Sequence, residues 1–326
     1  MTIAAEPLFR RRGIVLIPAD LSYERWPELA AESGLNVIAL HAQSRPLSRL
    51  AEFLRTEVGE RFLSHAGELG LDVEYELHAM ADLLPRERFG RHPEMFRMDE
   101  AGERVPDANL CVSSPEALEV ISQRSAVVAG QLTPTTHRYF LWADDGRPWC
   151  QCPPCRELSP SDQNLTAMVA ILGGLRTTDP QATLAALAYH DTLDPPTKVK
   201  PVEGLFLEYA PISRSWQVPL SDPSSEVNRE HVERLRRLIE FFGPRESQVL
   251  EYWLDASRHS NWQRPAQKLP VTPEVMAADA EFYHSLGFEH ATTFGVFLDA
   301  EYFERYGVPP VVEYGRALRS GRATSG

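Results

Sequence analysis

Apolar residues gather in eight short blocks separated by longer amphipathic stretches. The blocks are IVLIP (14–18), NVIALHA (36–42), DVEYELH (72–78), RYFLWAD (138–144), ATLAALAYH (182–190), GLFLEYA (204–210), QVLEYWLD (248–255) and HATTFGVFL (290–298). Most are rich in Val, Ile, Leu, Tyr or Phe and too short for an ordinary helix, which predicts buried strands. The 182–190 block is alanine-rich, and alanine favours a helix, so composition supports that strand least. Helical patterns fill most of the gaps: LSRLAEFLRTEVGERFLSHAGELG, SPEALEVISQRSAVVAGQL, SDQNLTAMVAILGGLRT and NREHVERLRRLIEFFG. Several open on a Ser, Asp or Asn able to cap a helix N-terminus.

Strand–helix alternation implies a parallel sheet, and eight repeats predict an α/β fold closed as a (β/α)8 TIM barrel. An open doubly wound sheet is the alternative. No glycine-rich loop follows the first strand, which argues against a dinucleotide fold. One unit is degenerate. Between the fifth and sixth strands lies only DTLDPPTKVKPVE, which is proline-rich and too short for a full helix. The sequence divides into a flexible leader (1–12), a single barrel domain (13–319) and a disordered tail (320–326). Two connections are long, residues 79–114 and 145–161. In a barrel such loops gather at the C-terminal face, where active sites sit.

The 326 residues are 43% hydrophobic, enough for one large core. A net charge of −13 repels phosphate backbones and excludes nucleic acid as a partner. The basic run Arg10–Arg12 reads as solvated leader. No apolar run approaches the roughly 20 residues of a membrane span. The apolar stretch after the basic residues is too short for a secretory signal, so a cytoplasmic location is expected.

Polar residues mark the C-terminal ends of the strands: His41, His78, Asp144 with Asp145, His190 with Asp191, Glu208, Glu251 with Asp255, and Asp299. Aromatic residues accompany them: Trp142, Tyr189, Tyr209, Tyr252, Trp253 and Phe297. Acids and histidines beside rings suit carbohydrate, whose C–H faces stack on aromatics while hydroxyls bond to polar groups. Cleaving a glycosidic bond needs carboxyl groups that protonate the leaving oxygen and stabilise an oxocarbenium-like centre. Asp144 and Asp145 are the leading pair, with Glu208 in reserve. Adjacent carboxylates repel, so one is expected to hold its proton. Neighbours on a strand point to opposite faces, so both reach one pocket only through a twist or bulge. Glu251 and Asp255, four apart on a strand, are expected to share a face. Each residue also has a structural reading: a cap, a buried ion pair, or a hydrogen-bonded rim histidine.

Cys150, Cys152 and Cys155 form C-x-C-x-x-C, and Cys111 is the only other cysteine. Four thiolates so placed can wrap one structural Zn²⁺ that pins the loop beside Asp144. Reduced thiols in a tight proline-shaped turn are the alternative. A disulfide does not suit a cytoplasmic chain, and no cysteine is paired with a His as a nucleophile would be.

HPEMFRMDEAGERV, NLCVSSPEALEVI, FLWADDGRPWCQCPPCREL, LAYHDTLDPP, LEYAPI and VLEYWLDAS resemble the bacterial domain-of-unknown-function family 4838 over roughly residues 70 to 310. Part of that family is similar to glycoside hydrolase family 163, endo-β-N-acetylglucosaminidases acting on N-glycans. The resemblance implies a TIM-barrel glycoside hydrolase in which the substrate's own 2-acetamido group attacks the anomeric carbon. It implies that Asp144 orients that group and that Asp145 protonates the leaving oxygen. Related enzymes often carry Asp-Glu here, whereas this chain has Asp-Asp. The expected activity is hydrolysis of a β-linked N-acetylhexosaminide or related glycoside. No cofactor is expected for the chemistry, and His78, Trp142, Tyr189, His190, Tyr209, Glu251, Tyr252, Trp253 and Asp255 are expected to bind the sugar. A non-catalytic carbohydrate-binding barrel is one alternative. A metal-dependent hydrolase using His78 and His190 is another, although the chain lacks H-x-H or H-E-x-x-H.

Overall fold

Eight parallel strands close into one barrel in the order β1 to β8. They are β1 (Arg11–Leu16), β2 (Val37–His41), β3 (Asp72–His78), β4 (Arg138–Trp142), β5 (Thr183–Ala188), β6 (Leu205–Tyr209), β7 (Gln248–Glu251) and β8 (His290–Phe294). Closure comes from β8 pairing with β1, with Thr292 opposite Gly13. A Cβ at Gly13 would come within 2.8 Å of the Thr292 side chain, so glycine lets the seam close. The computed structural model describes residues 6–42, 45–270 and 272–320. Among these, no helix is long and apolar enough to cross a membrane.

The two-residue period of the strands sorts the core. Val15, Ala39, Phe140, Trp142, Ala185, Phe206 and Leu250 point into the barrel. Their neighbours Leu141, Leu184, Leu207 and Val249 pack outward against the helices. Lower in the barrel the interior is polar. Glu74, Glu76, Arg138, Glu208 and Gln248 are all buried there. The Arg138 guanidinium lies 4.0 Å above the Phe206 ring and 3.7 Å from Glu74.

All eight expected strands are present, with different ends. The first begins at Arg11, so Arg11 and Arg12 are barrel residues rather than leader. Phe9 is fully buried, and Arg12 donates to the Gly34 carbonyl at 2.7 Å. Residues 1–5 of the expected leader lie outside the described residues, as does the tail beyond Ser320. The fourth strand ends at Trp142 and the seventh at Glu251, before the acids read as their last residues.

The long first helical pattern is two helices, Ser48–Leu54 and Glu57–Glu68. Thr56 divides them by capping the second, its hydroxyl accepting from the Gly59 amide at 3.3 Å.

The degenerate unit is as expected: between β5 and β6 the chain forms only a single-turn helix, His190–Thr192. Asp162, near the start of the helix Pro160–Thr178, anchors the crossover. Its Oδ1 accepts from the amides of Thr197, Lys198 and Val199 at 2.9, 2.7 and 2.9 Å. Burial opposes the charge, but the amide and hydroxyl donors outweigh it and hold the carboxyl down at about 2. A carboxylate clasp stands in for the missing helix.

Candidate active site

The C-terminal ends of the strands open onto a cleft of about 890 Å³. Its lining includes His41, His78, Trp142, Asp145, Tyr189, Tyr252, Asp255, Trp262, Phe294 and Phe297. Trp142 ends β4 and forms part of the floor, its ring 5.8 Å from His41 and 5.0 Å from His78. Both histidines are oriented from behind. His41 Nδ1 donates to the Glu76 carbonyl at 2.6 Å and His78 Nδ1 to the Ala143 carbonyl at 2.7 Å. Each Nε2 is thereby left as an acceptor. Burial and the nearby His78 push His41 down to about 4, and burial lowers His78 against the pull of Asp145. Both rings are therefore neutral at pH 7.

The adjacent aspartates do different work. Asp144 is buried, and both of its oxygens are engaged. Arg45 holds Oδ1, while Arg86 Nη2 and the Asn109 amide donate to Oδ2 at 2.5 and 2.7 Å. Asp144 therefore fixes the loop and stays off the main cleft, contrary to its expected place at the sugar. Asp145 turns the other way into the cleft, with its side chain 63% exposed. Its Oδ1 lies 3.8 Å from His78 Nε2, and burial, together with the Asp145 carboxylate, pushes the Tyr189 hydroxyl up. Gly146 follows at φ +56°, which turns the chain immediately after the pair.

Asp255 is the second carboxyl in the cleft. It caps the short helix Ala256–His259. Its Oδ1 accepts from the Ser257 amide and hydroxyl at 3.0 and 2.5 Å and from the Arg258 amide at 3.3 Å. Burial, partly offset by these bonds, raises its carboxyl above the ordinary range.

Other expected site residues lie elsewhere. Glu208 is fully buried beneath the floor, accepting from Trp142 Nε1 at 2.7 Å and Gln248 Nε2 at 3.1 Å. It cannot reach a sugar without displacing that indole. Tyr209 faces outward, its hydroxyl 2.9 Å from His231 Nδ1. Glu251 also faces outward, 3.0 Å from Arg214 and accepting from Tyr283 at 2.6 Å. Since the strand ends there, Glu251 and Asp255 do not share a strand face. Trp253 donates to Asp279 at 3.2 Å and packs in the core outside the barrel. His190 sits beyond Tyr189, over Gly146, in a smaller adjoining pocket. Trp262 went unnoticed in sequence because it lies in an irregular loop after β7. A lone tryptophan in the polar stretch RHSNWQRP is the signal that the sequence carries for it.

The four cysteines converge. All are buried, and their sulfurs lie within 4.8 Å of one another. Cys111 Sγ is 3.6 Å from Cys152 and 3.8 Å from Cys155. Zinc–sulfur bonds of about 2.3 Å give a tetrahedral edge of about 3.8 Å, so the donor set fits one metal ion. Around it, the Met98 amide donates to Cys150 at 3.3 Å, and Ser113 Oγ lies 3.3 and 3.1 Å from Cys152 and Cys155. Among the described residues no other group of three or more such donors converges. The histidine-based metal centre therefore has no ligand cluster there.

Residues 50–255 match the family model "Domain of unknown function (DUF4838)", well over half the chain. The chain belongs to the DUF4838 family. No curated protein matches it in sequence. Among solved structures, it is similar to a GH30 endoxylanase from Clostridium papyrosolvens C71, at 10% identity, TM-score 0.52, covering 99% of this chain and 77% of that one. It is also similar to a GH20 module of the pneumococcal exo-β-D-N-acetylglucosaminidase StrH, at 9% identity, TM-score 0.44, covering 95% and 84%. At 10% identity the likeness to the endoxylanase is one of fold: this DUF4838 chain shares its barrel architecture with that enzyme.

Proposed function

We propose that this chain is a glycoside hydrolase that cleaves a β-linked N-acetylhexosaminide or a related glycoside. The observation that carries the reading is that two carboxyl groups, Asp145 and Asp255, line one aromatic-walled cleft at the barrel's C-terminal end. A general acid needs a carboxyl held up by burial, which favours Asp255 as the proton donor over the Asp145 expected from the family resemblance. In this assignment Asp255 protonates the leaving oxygen as the glycosidic C–O bond breaks. Asp145, beside His78, stabilises the positive anomeric centre or the acetamido group that attacks it. Water then adds at that carbon and gives its proton back to the deprotonated Asp255. His41 and His78 accept from sugar hydroxyls through Nε2, and Trp142, Tyr189, Tyr252 and Trp262 supply stacking faces.

The test uses aryl β-glycosides, including aryl N-acetylglucosaminides, with leaving groups of graded acidity. Asp255→Asn should slow the poor leaving groups far more than the good ones, while Asp145→Asn should slow all of them. Undiminished turnover in D145N overturns the role of Asp145. An even loss across leaving groups in D255N overturns the proton donor.

A second reading draws on the capture of Asp144 by two arginines and the enclosure of Glu208 under Trp142. With those two acids withdrawn, the cleft can serve as a non-catalytic carbohydrate-binding site. Calorimetric sugar binding without turnover of any glycoside would establish it.

For the cysteine cluster we propose a structural Zn²⁺ bound by Cys111, Cys150, Cys152 and Cys155. All four positions are taken by protein, which leaves none open for catalysis. A reducing, cytoplasmic setting keeps the thiols available.

A further inference from the structure

Resting on that zinc assignment, we propose that the metal holds residues 84–114 on the barrel, and that this segment in turn fixes the Asp144–Asp145 turn in its cleft-facing form. Asn109 and Arg86 are the positioning residues.

Residues 84–114 have little regular structure of their own. They hold two single-turn helices, Arg86–Gly90 and Pro93–Met95, and one isolated bridge between Met98 and Arg104. Met95, Phe96 and Leu110 bury apolar surface, which places the segment on the barrel without locking its backbone. One set of attachments lies at the cysteines. Gln151 donates its amide to the Met98 carbonyl at 2.8 Å, and Cys111 donates to the Met95 carbonyl at 2.9 Å. Arg104 Nη1 lies 3.7 Å from Cys150 Sγ. A metal bound by Cys111 and by Cys150, Cys152 and Cys155 cross-links two stretches that are far apart in sequence. It thereby removes much of their freedom to separate.

The route from the cluster to the cleft is short. Asn109 is two residues before Cys111, buried, and held at φ +41°. It pairs reciprocally with Asp144 through backbone and side chain, at 2.7 and 2.9 Å. Its Nδ2 also donates to the carbonyls of Arg147 and Pro148 at 3.1 and 3.0 Å. Arg86 joins the two sides, donating to the Asn109 carbonyl at 2.7 Å and to Asp144 at 2.5 Å. Arg45 and His78 also touch this turn, at Asp144 and at the Ala143 carbonyl, but most of its hydrogen bonds come from the one segment that the metal closes.

The experiment uses the full chain and has two independent arms. Elemental analysis of the purified protein should find one zinc per chain, lost in Cys152→Ser. An absence of zinc and of any other bound metal overturns both the zinc assignment and this inference. Hydrogen exchange then reads the coupling. Chelation under reducing conditions should speed exchange at residues 95–111 and 144–148 by about tenfold or more while β1 and β2 stay protected, and added Zn²⁺ should restore protection. Asn109→Ala should retain its zinc yet loosen 144–148 alone, a result that survives even if C152S fails to fold. Bound zinc whose removal leaves 144–148 unchanged overturns the coupling and leaves the zinc assignment standing. Unaltered exchange at 144–148 in N109A overturns Asn109 as the relay. None of these readouts depends on a glycoside being turned over.

Discussion

Asn109 and Asp144 clasp each other. The Asn109 amide donates to Asp144 Oδ2 at 2.7 Å, and the Asp144 amide donates back to Asn109 Oδ1 at 2.9 Å. With Arg45 and Arg86 on the same carboxylate, Asp144 is a structural anchor, while the next residue faces open solvent in the cleft. Adjacent aspartates should therefore separate in a stability assay. Asp144→Ala leaves Arg86 and the Asn109 amide without their acceptor and should cost about 3 kcal/mol. Asp145→Ala removes an exposed side chain and should fall within about 0.5 kcal/mol of the wild type. Urea unfolding of both variants measures this, and equal losses would mean that the turn does not distinguish the two carboxylates.

Trp262 offers an exposed ring at the cleft, with φ +55° and 66% of its surface open. A residue that supports no core should matter to ligand and not to fold. Trp262→Ala should leave the thermal midpoint unchanged within about 2 °C. It should weaken binding of a sugar that occupies the cleft by about tenfold, or about 1.4 kcal/mol. Calorimetry with the best ligand from a glycan panel measures the second quantity.

The barrel was legible because helical patterns separate most of the eight strand blocks, and even the missing helix announced itself through its prolines. The facing of individual side chains was less legible. Trp142 and Glu208 point inward while Tyr209 and Glu251 point outward: a buried parallel strand carries apolar residues on both faces, and here each face also buries an acid. Alternation therefore carries no inside–outside mark there. Strand ends were misjudged because Tyr252, Trp253 and Leu254 remain apolar and aromatic after β7 has stopped, so no polar break comes before the cap at Asp255. The two fates of Asp144 and Asp145 depend on Arg45, Arg86 and Asn109, contacts that span 35 to 99 residues. The convergence of Cys111 on C-x-C-x-x-C was readable because it is the only other cysteine and stands in the neighbouring βα-loop.

Asp162 replaces a helix with a set of amide bonds, which makes the degenerate unit sensitive to acid. Its carboxyl is held at about 2 in the folded chain against 3.8 ordinarily. A depressed folded value stabilises above the unfolded value and loses that contribution as pH falls through the folded one. Asp162→Asn should therefore be less stable than wild type at neutral pH, by about 2 kcal/mol. The gap should narrow as pH drops from about 4 toward about 2. Urea midpoints at stepped pH test this; a gap constant down to the acid end would mean that the charge contributes nothing.

Glu208 has the opposite sign. Gln248 Nε2 carries two hydrogens, yet Glu208, Thr292 and Glu76 oxygens lie 3.1, 3.2 and 3.3 Å from it. A proton on one carboxyl relieves that shortage. Burial pushes Glu208 up to about 8, with Glu74 adding to the rise and Trp142, Arg138 and Gln248 opposing it. An acid whose folded pKa is raised binds more protons folded than unfolded across the interval between the two values. Its contribution is fully present below the unfolded value and is lost as pH climbs through the folded one. Between 4.5 and about 8, ionising Glu208 thus costs the native state and not the unfolded chain. Glu208→Gln keeps an oxygen for the Trp142 indole and a hydrogen donor in place of the carboxyl proton, but it cannot ionise. Urea unfolding from about pH 5 to about pH 8 should show the variant gaining on the wild type as pH rises. If the two curves stay parallel, Glu208 takes up no extra proton on folding, and the hydrogen shortage at Gln248 is met by Glu76 instead.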